Sequence, residues 1–172
     1  RDPGLAQESV VVAAHYDHLG DGTAAGRAED LGRVHPGADD NASGVAVLIE
    51  LAKVLRETFT PDRSIVFVAF DGEEEGRRGS RYYVANEKRY PASKAVGMLN
   101  LDTVGRLEKR KLLVLGADSA PEWPHIFRGA GFVTGVETEM ASGDLDASDQ
   151  KSFEEAGVPA VQLFSGPHLD YH

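Results

Sequence analysis

The sequence predicts an α/β fold, with helices packed on a largely parallel sheet. Three observations carry that expectation. Short β-branched runs recur as "ESVVVAAHYD", "RSIVFVAFDG" and "KAVGMLNLD", and each closes on charged residues. Segments of helical period separate them. The runs are also nearly continuous in apolar residues, as strands covered on both faces of a parallel sheet are.

Taken in order, the first run, Glu8 to Asp17, reads as a strand with a polar end. The segment from Gly20 to Gly37 is glycine-rich, polar and long for an ordinary connection, so it reads as a surface excursion near the strand ends. It lacks the G-x-G-x-x-G spacing of a dinucleotide loop. Next, "SGVAVLIELAKVLRETF" places Val45, Leu48, Ile49, Ala52 and Leu55 at helical spacing, with Glu50, Lys53 and Arg56 turned outward. Further helices are expected in "SRYYVANEKRY", "PEWPHIFRGA" and "SDQKSFEEAG", the last ending at Gly157. Strands are expected in "KLLVLGA", "FVTGVETE" and "VPAVQLF". In such folds ligands gather beyond the carboxyl ends of the strands.

Composition narrows the chemistry. A chain of 172 residues is about one domain long and can bury a core without staples. The 41% apolar and 27% charged content is that of a globular chain and excludes a disordered or collagen-like reading. A net charge of −10, with its few basic clusters interleaved with acids, argues against nucleic acid as a partner. No apolar stretch reaches the roughly 20 residues of a membrane span. With no cysteine, any bound metal must use His, Asp and Glu.

Those residue types collect at the predicted strand ends. In "HYDHLG", His15 and Asp17 are two apart, so in an extended chain they project to one side, one able to ligate and the other to stand behind it. "DGEEEG" puts Glu73, Glu74 and Glu75 directly after a buried strand, where a cation would relieve their repulsion. "GADDNASG" places Asp39 and Asp40 at the start of the first helix, with Asn41 or Ser43 available to cap it and Asp39 to serve the turn. Asp102 closes a third strand, and "GPHLDYH" adds His168, Asp170 and His172. Each alone reads as a solvated polar group. Together they supply imidazoles and carboxylates to one sheet edge, a donor set suited to zinc, manganese or cobalt, and by the number of carboxylates to a pair of ions. Thiol chemistry is excluded, Ser43 and Ser80 lack the G-x-S-x-G elbow, and "SGDLDASDQ" does not match an EF-hand.

The motifs "HYDHLG", "GADDNASG", "DGEEEGRRGS", "NLDTVG" and "HLDYH" occur in that order over nearly the whole chain. In this the sequence resembles the co-catalytic zinc aminopeptidases of the M28 peptidase group. The resemblance implies a three-layer α/β/α sandwich with a mixed, largely parallel sheet, shared with zinc carboxypeptidases, and two Zn²⁺ ions per chain. It implies His15 and Asp102 as ligands of one metal, Asp40 as the bridging carboxylate and His172 as a ligand of the other. Glu74 is implied as a ligand of either ion. Glu73 takes the general-base position, Asp17 a place behind His15, and Tyr171 that of a residue polarising the substrate carbonyl. The implied substrate is a peptide or small aminoacyl compound, and the resemblance favours an exported protein. Alternatives on the same fold are a single-zinc glutaminyl cyclase and a non-catalytic ectodomain. Gln150 departs from the pattern, since many relatives carry histidine there. The resemblance further implies one catalytic domain over residues 1–172, truncated at both ends.

Overall fold

The structure, a computed structural model, describes residues 2, 4–22, 31–141 and 148–169. Among them, strands β1 (Ser9–His15), β2 (Ser64–Phe70), β3 (Ala95–Leu101), β4 (Leu112–Leu115), β5 (Thr138–Ala141) and β6 (Ala160–Phe164) form one sheet in the order β2-β1-β3-β6-β4-β5. All neighbours pair in parallel except β4 with β6. Helices α1 (Ala42–Thr58), α2 (Arg78–Asn86), α3 (Trp123–Thr134) and α4 (Gln150–Glu155) cover it.

Strand alternation sorts the core into two faces. Val11 and Ala13 of β1, Met98 of β3 and Ala160 of β6 pack with Phe153 of α4 and Tyr83 of α2. On the opposite face Val12, Ala14 and Leu101 meet Leu48 of α1, while Val114 and Val161 meet Trp123 and Phe127 of α3. The result is the expected three-layer α/β/α sandwich with a mixed, mostly parallel sheet. Among the described residues no helix is long and apolar enough to cross a membrane.

One element differs from expectation. Phe132, Val133 and Thr134, read from their β-forming side chains as the start of a strand, form the last turn of α3, and the strand begins only at Thr138. Trp123 and Phe127 anchor the helix, and Gly135 ends it in the left-handed conformation, φ 75°. Packing of the first turns overrides the local preference of the last.

Candidate metal centre

The carboxyl ends of β1 and β3 lie side by side, since Ala13 pairs with Asn100 in register. This brings His15 next to Asp102, the first residue past β3. Across β1 the register pairs His15 with Phe70, so the turn carrying Glu73 and Glu74 rises beside it. The start of α1 supplies the third component. Asn41 caps that helix, its Oδ1 accepting from the Gly44 N–H at 3.1 Å. The same oxygen accepts from Thr103 N–H at 3.2 Å, and Asn41 Nδ2 donates to the Leu101 carbonyl at 2.9 Å. One side chain thus ties the helix start to the end of β3 and sets Asp40 beside Asp102. The Asp40–Asn41 peptide is cis.

His15, Asp40 and Asp102 are all buried and converge. His15 Nε2 lies 3.2 Å from Asp40 Oδ1 and 3.3 Å from Asp102 Oδ1. Its Nδ1 is 3.1 Å from the backbone carbonyl of Asp17. A carbonyl only accepts, so Nδ1 carries a proton and Nε2 is the atom turned to the carboxylates. Burial alone would lower the His15 pKa, but hydrogen bonds with Asp102, Asp17 and Asp40 raise it well above the usual histidine range. A place that favours a proton this strongly also favours a cation. Donors sharing a tetrahedral zinc, with bonds of about 2.0–2.2 Å, stand roughly 3.3–3.6 Å apart, and the two observed separations lie at or just below the short end of that range.

A second group shares Asp40: His18, Asp40 and Glu74. His18 Nδ1 stands 2.9 Å from Glu74 Oε1 and 3.7 Å from Asp40 Oδ2. The two oxygens of Asp40 therefore face two different groups. Carboxylates and imidazoles with no sulfur nearby suit divalent zinc.

Asp17 stands beside His15 and also reaches the glutamate turn. Its backbone carbonyl takes the His15 ring proton, while its carboxylate, 3.7 Å from Nδ1, accepts the backbone N–H groups of Glu73 at 3.1 Å and Glu74 at 3.2 Å. Burial would raise its pKa, but His15 and these two N–H groups hold it below the usual carboxylate range. Asp17 thus fixes the glutamate turn. Glu73 sits in that turn with its carboxyl pushed up to about 9, by burial first, with Asp102, Asp149 and Glu74 adding to it and His15 opposing. Divalent cations nearby act in the direction that restores the carboxylate.

The Asp39 side chain, expected to serve its own turn, reaches distant segments instead, with Oδ1 accepting from Gly105 N–H at 2.7 Å and Oδ2 lying 2.8 Å from His168 Nε2. A cavity of about 630 Å³ opens beside Asp40, lined among others by His18, Arg33, His35, Arg106 and His168. The end of the Gly20 to Gly37 excursion thus forms part of its wall, while residues 23–30 lie outside the described residues. A second cavity of about 500 Å³ adjoins Glu74, lined by Asp17, His18, Asp71, Glu75 and Tyr82 among others. Tyr171 and His172 lie outside the described residues, as does Asp170.

Sequence reasoning passes over two residues here. His18 lies inside the first motif, and the only available signal is the second histidine of H-x-D-H. Asp149 reads only as part of a helix start. It is fully buried at the head of α4, and among the described residues neither carboxylate oxygen has a partner in good hydrogen-bond geometry. Burial pushes its pKa up to about 6, with the nearby Ser80 hydroxyl and His15 opposing. Gln150 follows it, 3.4 Å from the Asn100 amide nitrogen, which also donates to Ser148 Oγ at 2.8 Å.

Comparison with known proteins gives the family and the fold. Leupeptin-inactivating enzyme 1 of Streptomyces exfoliatus is 33% identical over 166 residues, 95% of this chain and 34% of that protein. The structure of BSAP, a zinc aminopeptidase from Bacillus subtilis, superposes with a TM-score of 0.77 at 29% identity, covering 96% of this chain and 39% of that one. Glutaminyl cyclase from Porphyromonas gingivalis shares the fold, with a TM-score of 0.73 at 23% identity, covering 94% of this chain and 60% of that one. The chain spans about a third of the length of the curated relatives it matches. The model of peptidase family M28 matches residues 1–172, and the chain belongs to that family.

Proposed function

We propose that this chain carries the catalytic centre of a two-zinc aminopeptidase, which removes N-terminal residues from peptides. The observation that carries the reading is the sharing of Asp40: Oδ1 faces His15 and Asp102, and Oδ2 faces the Glu74 side. A bridging carboxylate of this kind can hold two ions at roughly 3.5–4 Å. In this reading His15, Asp40 and Asp102 hold one ion, and Asp40, Glu74 and His172 the other. The family relationship supports it, as does the zinc named for the Bacillus subtilis enzyme.

Bound zinc supplies acidification of water and polarisation of a carbonyl. The chain does the rest. Glu73, as carboxylate, takes a proton from the attacking water as its oxygen bonds to the scissile carbonyl carbon. It then gives that proton to the amine nitrogen as the C–N bond breaks. Such general catalysis is worth on the order of 10²- to 10⁴-fold. Asp17 keeps Glu73 and Glu74 in register through their N–H groups. The Tyr171 hydroxyl is assigned to the carbonyl oxygen, where charge develops.

The test pairs metal analysis with a panel of aminoacyl anilides. About two zinc ions per chain are expected, with release of the anilide. Glu73→Gln should keep both ions and lose turnover by the factor given for general catalysis. Turnover retained in Glu73→Gln would sink the mechanism. One tightly bound zinc, with cyclisation of N-terminal glutamine in place of hydrolysis, would replace the reading by that of a glutaminyl cyclase.

A further inference from the structure

The two halves of the centre use their histidines differently. His15 is nearly equidistant from two carboxylates, at 3.2 and 3.3 Å, as a group sharing an ion with both would be. His18 is not. Its Nδ1 is 2.9 Å from Glu74 Oε1, a hydrogen-bond distance, and 3.7 Å from Asp40 Oδ2, beyond one. A carboxylate oxygen only accepts, so Nδ1 carries the proton and donates it to Glu74. With 12% of its side chain exposed against 10% for Glu74, the bond is shielded from water.

The setting explains why such a bond is needed. Glu74 stands on a turn rather than in a strand, and its backbone is tied through its N–H to Asp17. That tie fixes the main chain but not the rotation of the carboxylate about its side-chain bonds. His18 restricts that rotation. It lines both cavities that flank the centre, so its ring stands at the wall between them, with Asp40 and Glu74 within reach.

We propose that His18 is a positioning residue for the second metal position: it holds the Glu74 carboxylate by an Nδ1–H···Oε1 bond, setting that carboxylate's direction toward the ion shared with Asp40. The inference rests on the two-zinc reading above. It assigns His18 a part distinct from that of a ligand, and it predicts that a donor without ligating strength can replace it. The amide Nδ2–H of asparagine occupies nearly the place of imidazole Nδ1–H, and makes the replacement available.

The experiment titrates zinc into the metal-free chain by calorimetry, with metal counted after dialysis, for wild type, His18→Ala and His18→Asn. His18→Ala should weaken the second zinc by about 10- to 100-fold, the usual cost of losing an outer partner, and leave the first unchanged. His18→Asn should recover most of that loss. A residue that only packs would not show this selectivity for one ion, nor rescue by a polar side chain. Unchanged affinity for both ions in His18→Ala overturns the proposal. Equal loss in His18→Ala and His18→Asn also overturns it, and identifies the imidazole as a ligand. Fewer than two zinc ions on wild type would instead overturn the two-zinc reading itself.

Discussion

The two halves of the centre are built from different material. His15 ends β1 and Asp102 directly follows β3, so hydrogen-bonded strands in the middle of the sheet set their places. Their carboxylate and imidazole groups are buried. His18 and Glu74 stand on loops and are partly buried, held by side-chain ties from Asp17 and from each other. A site on strands takes its geometry from the fold, while a site on loops takes it from a few hydrogen bonds. The first half should therefore bind metal more tightly and tolerate less change, and the second should answer to residues that never touch the metal.

Asp40 is the member both halves use, and its removal gives the largest effect. Asp40→Asn keeps the volume and the start of α1 but removes the charge that, in the two-zinc reading, faces two cations. We expect zinc content to fall at both positions together, and turnover to drop by on the order of 10³-fold or more. Loss of one ion only, measured by metal analysis, would break the idea that the two halves share this residue.

Acidity provides the next test, on the metal-free chain. Glu73, raised from 4.5 to about 9, and Asp149, raised from 3.8 to about 6, both keep protons in the folded state that they lose when unfolded. His15, raised above its ordinary value of 6.5, acts in the same sense above that pH. The folded state thus binds more protons than the unfolded state between about pH 5 and 9, so stability must fall as pH rises. The fall should be on the order of a few kcal/mol, read as a lower denaturation midpoint at pH 8 than at pH 5. Asp17, whose pKa is lowered, opposes this only near and below its ordinary 3.8, outside the window. Zinc supplies the positive charge that the protons supplied, so adding it at pH 8 should recover the midpoint. A metal-free midpoint that rises from pH 5 to 8 would contradict the burial of these groups.

The loop half can be loosened without touching a ligand. Asp17→Ala removes the acceptor for the Glu73 and Glu74 N–H groups. Turnover should fall by about 10- to 100-fold and the second zinc should weaken, with the first retained. An equal loss at both positions would place Asp17 behind His15 instead, through the 3.7 Å approach of its carboxylate to Nδ1.

The strand half is the more legible in the sequence. Apolar runs ending in His15 and Asp102 announce both the sheet and its edge, because burial on two faces leaves a composition that is hard to mistake. The loop half is legible only through motif resemblance. Nothing in H-x-D-H shows which way the second histidine turns, since the strand ends at His15 and its alternation of faces does not extend to His18. Asp149 is opaque for another reason. A carboxylate before a short helix reads as a cap, and here it makes no capping bond. The misplaced strand at Phe132 to Thr134 shows the same limit, since Phe132 and Val133 are exposed on a helix whose place Trp123 and Phe127 decide.

The smallest expected effect lies at the joint between the halves. Gly44 is in the first turn of α1, where an added Cβ would collide with Asn41 Oδ1 and the Leu101 carbonyl. Alanine is the better helix former by about 1 kcal/mol, which favours Gly44→Ala. Overpacking costs about 1–3 kcal/mol, and a clash with a backbone carbonyl at the end of β3 belongs at the upper end of that range. The clash therefore wins, and Gly44→Ala should destabilise the chain by about 2 kcal/mol in denaturant unfolding. The variant also pushes on Asn41, whose two ends hold α1 to Leu101 and Thr103. Asp40 moves with it relative to Asp102, so the first zinc should weaken more than the second. This is the reverse of the order expected for Asp17→Ala, and finding the same order in both variants would show that the two halves do not respond separately.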